Sequence, residues 1–195
     1  MEKIIPRWEW RTFGESFGEA DARYAILKPS DVHESDELYF LSASNDENVK
    51  VRDDLMDIKT LEQVNADGLE QWKPVMKASF PLSATEARKV LQALGVAAES
   101  LARAEYTLDQ FVAELAEPSG RLRSVKVHKS RSRYRINGCM SEMTEVVADG
   151  RKTRTVALEL EDAARVIATV REMGLDGFPN VSYPRGLKAL VGMEG

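Results

Sequence analysis

Apolar and polar residues alternate with a period of two along several stretches of the chain. In "PRWEWRTFG", Trp8 and Trp10 fall on one side of the alternation, and Arg7, Glu9 and Arg11 fall on the other. Successive side chains of a strand point to opposite faces, so this stretch predicts a strand with one aromatic and one charged face. Further strands are predicted over residues 37–42, 48–53, 56–61, 71–80, 123–138, 139–148 and 154–161.

Other segments show the period of an α-helix. A capping box of Ser83 and Glu86 begins a helix whose apolar stripe ends at Gly95. A second helix, with the same kind of capping box and apolar stripe, is predicted over residues 107–118. A third amphipathic helix is expected over 162–174. The polar segment 12–36 is expected to hold a short helix around Glu19 to Arg23.

The charged faces of the strands decide between two folds. Four of the five amphipathic strands present mostly cations on one face, although the net charge of the chain is -5. A half-buried antiparallel sheet with a solvated outer face is one interpretation, but solvated faces usually mix both signs of charge. The amphipathic helices need an apolar surface, and the opposite faces of the strands supply it. If helices cover the outside, the sheet closes as a barrel around a hydrated cationic lumen. The charged side chains concerned are Arg7, Glu9, Arg11, Lys50, Arg52, Lys73, Lys77, Lys129, Arg131, Arg133, Arg135, Arg151, Glu159 and Glu161.

Composition narrows the class of protein. A chain of 195 residues with 43% hydrophobic residues is consistent with a single domain, 1–195. The acidic balance, with a pI of about 5.3, argues against nucleic acid binding by bulk electrostatics. Cys139 is the only cysteine, which excludes an internal disulfide and a zinc site of several thiolates. The chain starts without an apolar signal region and has no run near the ~18 apolar residues of a membrane span, so a cytoplasmic protein without a membrane partner is expected.

A lumen lined by lysines and arginines predicts a strongly negative guest, because the cations repel one another until an anion joins them. Guanidinium groups match pairs of phosphate oxygens, so a polyphosphate chain is the expected ligand. Carboxylates predicted for the same barrel, Glu9, Glu142, Glu159 and Glu161, suit a hard divalent cation that polarises a phosphoryl oxygen or activates water. RNA is a weaker alternative, because aromatic side chains do not share the charged face.

Short motifs of this sequence resemble those of the CYTH proteins, also called triphosphate tunnel metalloenzymes. They occur in the same order as in that family and extend over nearly the whole chain. "WEWRTF" resembles the opening acidic-x-acidic-x-basic strand, "VKVRD" the paired basic strand and "DIKTL" the lysine that follows. "VHKSRSRYRI" resembles the later Lys-x-Arg strand, "GCMSEMTEV" the next acidic strand, "TVALELED" the Glu-x-Glu strand and "NVSYPRGLKAL" the closing segment. The resemblance implies an α+β fold: a closed antiparallel eight-stranded β-barrel that forms a tunnel, with helices packed on its outside.

The resemblance also implies roles for individual residues. Glu9, Glu159 and Glu161 would be catalytic and would bind Mg²⁺ or Mn²⁺, with Glu142 as a fourth ligand. The substrate phosphates would be held by Arg11, Lys50, Arg52, Lys59, Lys73, Lys77, Arg131, Arg133 and Lys188. The opening strand departs from the family pattern, because Arg7 stands where the first glutamate is expected and Arg11 where a lysine is expected.

Two classes of function follow from these residues. The first is a divalent-metal-dependent hydrolase of inorganic triphosphate, a nucleoside triphosphate or thiamine triphosphate. An adenylate cyclase of the same family is the alternative enzyme. The second is a non-catalytic module that binds polyphosphate or a nucleotide, which Arg7 favours because a cation repels a metal ion.

Four further residues have structural predictions. Trp8, Trp10 and Trp72 are expected to pack beneath the helices, because they lie on the uncharged faces of their predicted strands. His128 lies on the opposite face of its predicted strand from Lys129 and is expected to point outward.

Overall fold

Eight strands form a closed antiparallel barrel in the computed structural model, which describes residues 5–98 and 100–193. The strands are β1 (Arg7–Gly14), β2 (Asp31–Ser42), β3 (Asn48–Arg52), β4 (Leu55–Val64), β5 (Glu70–Ser79), β8 (Leu122–Ile136), β9 (Cys139–Ala148) and β10 (Arg151–Leu160). Their order around the barrel is β1, β10, β9, β8, β2, β3, β4, β5. A separate pair joins β6 (Leu82–Ser83) to β7 (Glu105–Tyr106). The predicted closed eight-stranded barrel is therefore confirmed.

The helices are α1 (Glu19–Ala25), α2 (Ala84–Ala93), α3 (Leu108–Phe111), α4 (Ala163–Glu172) and α5 (Tyr183–Val191). The predicted capping box of α2 is present, with the Ser83 hydroxyl accepting from the Glu86 amide and the Glu86 carboxylate accepting from the Ser83 amide. α3 also begins with its predicted capping box, but the chain then changes to a π turn and a 3-10 turn before Gly120. None of the helices in the described residues is long and apolar enough to cross a membrane.

Two apolar cores lie between the barrel and its outer helices. In the first, α2 and the α3 segment cover the outer faces of β2, β3 and β4, with Phe40 and Met56 fully buried. In the second, α1 and α4 cover β1, β9 and β10, with Trp10 and Leu158 at the centre. His128 lies on the outside, where its Nδ1 is 2.9 Å from Asp36 Oδ1. The helices therefore cover the apolar strand faces, and the charged faces point inward.

A third core lies inside the barrel, because α5 closes one end of it. Tyr183, Leu187 and Val191 of α5 pack against Tyr39 and other inward-facing side chains of β2, β8 and β9. The sequence carries the signals of this helix, since Pro184 lies in its first turn and Gly192 ends it in the left-handed conformation. The lumen is therefore open at one end and has an apolar floor at the other.

An irregular register between β4 and β5 changes which residues of β5 face the lumen. Ile58 pairs with Met76, but Lys59 pairs with Pro74, so the intervening residue of β5 has no partner. Beyond this point Lys73 points outward and bonds Glu62, with 2.9 Å between Nζ and Oε1. The prediction that Lys73 lines the lumen is therefore wrong.

The same irregularity moves Trp72 to the inward side. Trp72 pairs with Arg7 of β1, and the two line a notch between β1 and β5 together with Glu159. The prediction that Trp72 packs beneath the helices is wrong, whereas Trp8 and Trp10 do contact the α4 side of the barrel.

Candidate functional site

The lumen contains a cavity of about 490 Å³ in which cations outnumber acids. The cationic side chains that line it are Arg11, Lys50, Arg52, Lys59, Lys129, Arg131, Arg133 and Arg135. The acidic side chains that line it are Glu9, Asp57, Glu142 and Glu159. Eight cations therefore face four carboxylates in a chain whose net charge is -5, and this local excess suits an anionic ligand. The volume is in the range of pockets for small molecules.

A buried carboxylate beneath the cavity holds three of these cations. Glu37 Oε2 accepts hydrogen bonds from Lys50 Nζ at 3.0 Å and Lys129 Nζ at 2.8 Å, and Oε1 accepts one from Arg131 Nη2 at 3.2 Å. The Glu37 side chain is 0% exposed. Burial would raise the pKa of Glu37, but Lys129 and Lys50 outweigh it and hold the pKa well below its ordinary range. Glu37 is therefore ionised at neutral pH.

Two stacked tyrosines form the floor under these charges. The rings of Tyr39 and Tyr183 lie 5.5 Å apart and nearly parallel. Lys129 Nζ lies 3.9 Å from the centre of the Tyr183 ring and donates a hydrogen bond to the Tyr39 hydroxyl at 2.7 Å. α5 therefore contributes directly to the site, because it carries Tyr183.

Arg11 joins two carboxylates on the opposite wall of the lumen. Its Nε donates to Glu9 Oε1 at 2.8 Å, and its Nη2 donates to Glu142 Oε1 at 3.0 Å. Glu142 also lies near Arg131, with 3.7 Å between Oε2 and Nε. Burial would lower the pKa of Arg11, but Glu9 and Glu142 raise it well above its ordinary value. Arg11 is thus bound to acids rather than free for a ligand.

Glu159 is a weakly compensated carboxylate of the lumen. It lies opposite Glu9 in the ladder between β1 and β10, and its ion pair with Arg7 is long, at 3.4 Å between Oε1 and Nη1. Burial raises the pKa of Glu159, and the negative charge of Glu9 raises it further. A positive ion between Glu9 and Glu159 would relieve this repulsion.

The predicted metal site of four carboxylates is not assembled. No group of three or more His, Cys, Asp or Glu side chains within residues 5–98 and 100–193 is placed to hold a metal ion. Glu161 lies beyond the end of β10 and is exposed in the notch beside Arg7, which adjoins the lumen cavity and shares Glu9, Lys59 and Glu159 with it. Of the other three carboxylates, Glu142 lies between Arg11 and Arg131, whereas Glu9 and Glu159 lie opposite each other. This pair fits Mg²⁺, which commonly takes one or two protein carboxylates and completes its shell with water and phosphate oxygens.

The structure brings most of the predicted site residues together. The predicted residues that line the lumen cavity are Glu9, Glu142, Glu159, Arg11, Lys50, Arg52, Lys59, Arg131 and Arg133. Lys77 pairs with Asp57 across β4 and β5 and lines a small pocket next to Arg52, outside the cavity itself. Lys188 does not face the lumen, because its Nζ donates to Asn45 O and Asp46 Oδ1 in the β2–β3 loop, both at 2.8 Å.

The sequence predictions missed Glu37 and Tyr183 as parts of the site. Glu37 lies on the same face of β2 as Tyr39 and Leu41, which point into the barrel. This alternation was the signal in the sequence from which an inward-facing Glu37 could have been predicted. Its contact with three cations depends on β3 and β8 lying on either side of β2, which no local pattern shows.

Comparison with known proteins supports the fold. Neither a family model nor a curated protein matches this sequence. A putative adenylyl cyclase from Hippeastrum, whose structure is described as revealing a dominant triphosphatase activity, is 12% identical, with a TM-score of 0.50 and coverage of 97% of both chains. A putative adenylate cyclase from Bacillus halodurans is 13% identical, with a TM-score of 0.46 over 92% of this chain and 95% of that one. A conserved hypothetical protein from Pyrococcus furiosus is 13% identical, with a TM-score of 0.49 over 90% and 98%. The Hippeastrum likeness shows a shared fold.

Proposed function

We propose that the lumen binds a triphosphate-containing small molecule and hydrolyses it with the help of Mg²⁺ or Mn²⁺. The observation that carries the proposal is the convergence of eight cations and four carboxylates on one cavity of a net acidic protein. A dry or purely structural core would not collect so many like charges, because each unpaired buried charge costs several kcal/mol. A ligand with three or four negative charges offsets the excess.

The cations that remain available mark where the phosphate chain binds. Among the described residues, Lys59 and Arg135 line the cavity without a carboxylate at ion-pair distance. Arg52 has only long contacts, at 3.7 Å to Asp53 and 3.9 Å to Glu37. Arg133 pairs with Asp31 at the exposed rim, where solvent weakens the pair. These four side chains are the proposed phosphate ligands.

Glu9 and Glu159 would hold the divalent ion, which when bound polarises a phosphoryl oxygen and activates water. The other lumen residues bind and orient the substrate. Lys59 lies on the same side of the lumen as the proposed metal ligands, because it lines the notch beside Arg7 together with Glu9 and Glu159. A phosphate held by Lys59 would therefore lie next to the two carboxylates.

The structural neighbour from Hippeastrum supports this proposal only by analogy of fold, because one fold hosts many activities. The motif resemblance to the triphosphate tunnel metalloenzymes supports it at the level of individual residues. The test is phosphate release from inorganic triphosphate, nucleoside triphosphates and thiamine triphosphate, with Mg²⁺ and with Mn²⁺. Absence of release from every substrate would reject the hydrolase, and cyclic AMP formed from ATP would identify the cyclase alternative.

Lys59→Gln is expected to weaken binding of inorganic triphosphate by about tenfold or more, because charge-assisted hydrogen bonds contribute about 1.5–3 kcal/mol. Lys73→Gln is the matched control, since this lysine lies on the neighbouring strand but points outward to Glu62. Its expected affinity is that of the wild type. Isothermal titration calorimetry without metal measures both, and equal losses in the two variants would contradict the assignment of Lys59 to the lumen.

A non-catalytic binding module is the second candidate, and one observation favours it. Arg11 bridges Glu9 and Glu142, and Arg7 contacts Glu159, so each proposed metal ligand already has a guanidinium partner. A module of this kind is expected to bind triphosphate equally well with and without EDTA and to release no phosphate. Loss of binding on addition of EDTA would favour the metal-dependent enzyme instead.

A further inference from the structure

Glu37 is a fully buried carboxylate for which the proposed reaction has no use. It is bonded to Lys50, Lys129 and Arg131 at distances of 2.8–3.2 Å. These are three of the eight cations that line the cavity, and all three lie toward the end closed by α5. Their charge is therefore largely neutralised before any ligand arrives.

Glu37 is fixed on its strand and buried among its partners. Its strand, β2, pairs with β8 over its whole length, and the residue opposite Glu37 is Val127. Below it, Tyr39 is stacked on Tyr183 of α5. Three hydrogen bonds hold the buried carboxylate on the inner side of the cavity. An anion entering this region would meet the fixed negative charge of Glu37 at short range.

We propose that Glu37 is a fixed internal counter-anion that sets how deeply a phosphate chain enters the lumen. It occupies the inner cations and leaves Arg52, Lys59, Arg133 and Arg135 as the outer anion site. Glu37 is then a specificity-determining residue for the length and position of the bound chain. The inference rests on the proposed function of the lumen as a phosphate site, and it names the residue that limits that site on its inner side.

The proposal predicts a gain of binding when the charge of Glu37 is removed. Glu37→Gln keeps the shape of the side chain but leaves Lys50, Lys129 and Arg131 without their shared carboxylate. Inorganic phosphate, a single small anion, is expected to bind the variant at least about tenfold more tightly than the wild type, because like-charge repulsion is replaced by attraction. Inorganic triphosphate is also expected to bind more tightly.

The experiment is titration calorimetry of the full chain with inorganic phosphate and with inorganic triphosphate, without metal, together with thermal unfolding in the presence of each anion. The apo variant is expected to be less stable than the wild type, since buried cations lose their partner. Phosphate is expected to raise its melting temperature more than that of the wild type. Equal phosphate affinity in the folded variant and the wild type would overturn the proposal.

Asp21→Asn is the control. Asp21 is also a carboxylate bonded to a cation, with 2.9 Å between Oδ1 and Arg154 Nη2, but it lies on α1, outside the barrel. The control is expected to lose stability without any gain in phosphate affinity. A similar gain in both variants would show a general effect of removing a negative charge and would overturn the specific role of Glu37.

A second pair of variants tests the proposal if Glu37→Gln does not fold. Lys50→Gln removes a cation that Glu37 already neutralises, whereas Lys59→Gln removes one that has no ion pair within residues 5–98 and 100–193. Lys50→Gln is expected to weaken triphosphate binding several-fold less than Lys59→Gln does. Equal losses would overturn the inference. If wild-type protein does not bind triphosphate at all, the proposed function itself fails, and the phosphate titration of Glu37→Gln still decides the role of Glu37.

Discussion

Glu159→Gln is expected to reduce phosphate release by at least about a hundredfold while raising the thermal stability of the protein. The loss of activity follows from removing one of two proposed metal ligands at a site where charge develops in the transition state. Binding of inorganic triphosphate without metal is expected to be retained or tightened, because the cations are the phosphate ligands and the substitution removes a negative charge beside Lys59. Phosphate release and metal-free titration calorimetry separate these two effects.

The gain in stability follows from the pKa of Glu159, which burial and the nearby Glu9 raise above its ordinary value. A group whose pKa is raised by folding stabilises the native state below its ordinary pKa, and this contribution is lost as the pH rises through the raised value. At pH values above the raised pKa, Glu159 is ionised and its burial opposes folding. The ion pair with the half-exposed Arg7 is too long to offset this cost. The neutral glutamine avoids the cost.

The difference in melting temperature between Glu159→Gln and the wild type should therefore be small at about pH 4 and reach a few degrees at about pH 7. Glu145→Gln is the control, because Glu145 lies on the exposed outer side of β9. It should alter neither the activity nor the slope of stability against pH. A Glu159→Gln variant that melts below the wild type at neutral pH would show that the pair with Arg7 outweighs burial.

Gly186→Ala is expected to destabilise the fold by about 1–3 kcal/mol and to weaken triphosphate binding, because a methyl group at this position of α5 would overlap the Phe13 ring. Alanine would otherwise favour the helix by about 1 kcal/mol, so the sign depends on whether the ring can move. Phe13 points into the barrel and lies edge-on against Tyr183, with 5.4 Å between ring centres. The steric overlap is therefore expected to outweigh the gain in helix propensity and to displace α5 together with Tyr183.

Gly177→Ala is the matched control, since a methyl group there meets no atom within 4 Å. Denaturant unfolding and triphosphate titration should leave this control close to the wild type. Phe13→Leu should restore part of the stability lost in Gly186→Ala, because the smaller side chain makes room for the methyl group. A Gly186→Ala variant as stable as the wild type would mean that the closed end of the barrel is more plastic than its packing indicates.

The parity of single strands was predictable from the sequence. In β1, Trp10 packs outward against α4 while Arg11 faces the lumen, as the alternation predicts. The capping boxes of α2 and α3 were predictable for the same reason, since each depends on residues three apart. Local patterns of this kind need no knowledge of distant partners.

Positions that depend on pairing between strands were not predictable. Lys73 has the inward parity of Lys77, but the unpaired residue between them reverses its direction. Pro74 within the strand was a hint, because proline favours bulges and edges of sheets. Glu161 continues the parity of Glu159, yet β10 ends at Leu160 and leaves it exposed in the notch that adjoins the cavity. One residue of strand length or register decided each of these placements.

The sequence by itself determined that the chain forms amphipathic strands with cationic faces and helices to cover their apolar sides. This information is local, because it resides in periods of two and 3.6 residues. Only the tertiary structure decided that α5 closes one end of the barrel, that Arg11 bridges Glu9 and Glu142, and that Glu37 holds three cations. These contacts join residues far apart in the chain, and their energies depend on burial and on the distances between charges, which exist only once the barrel has closed.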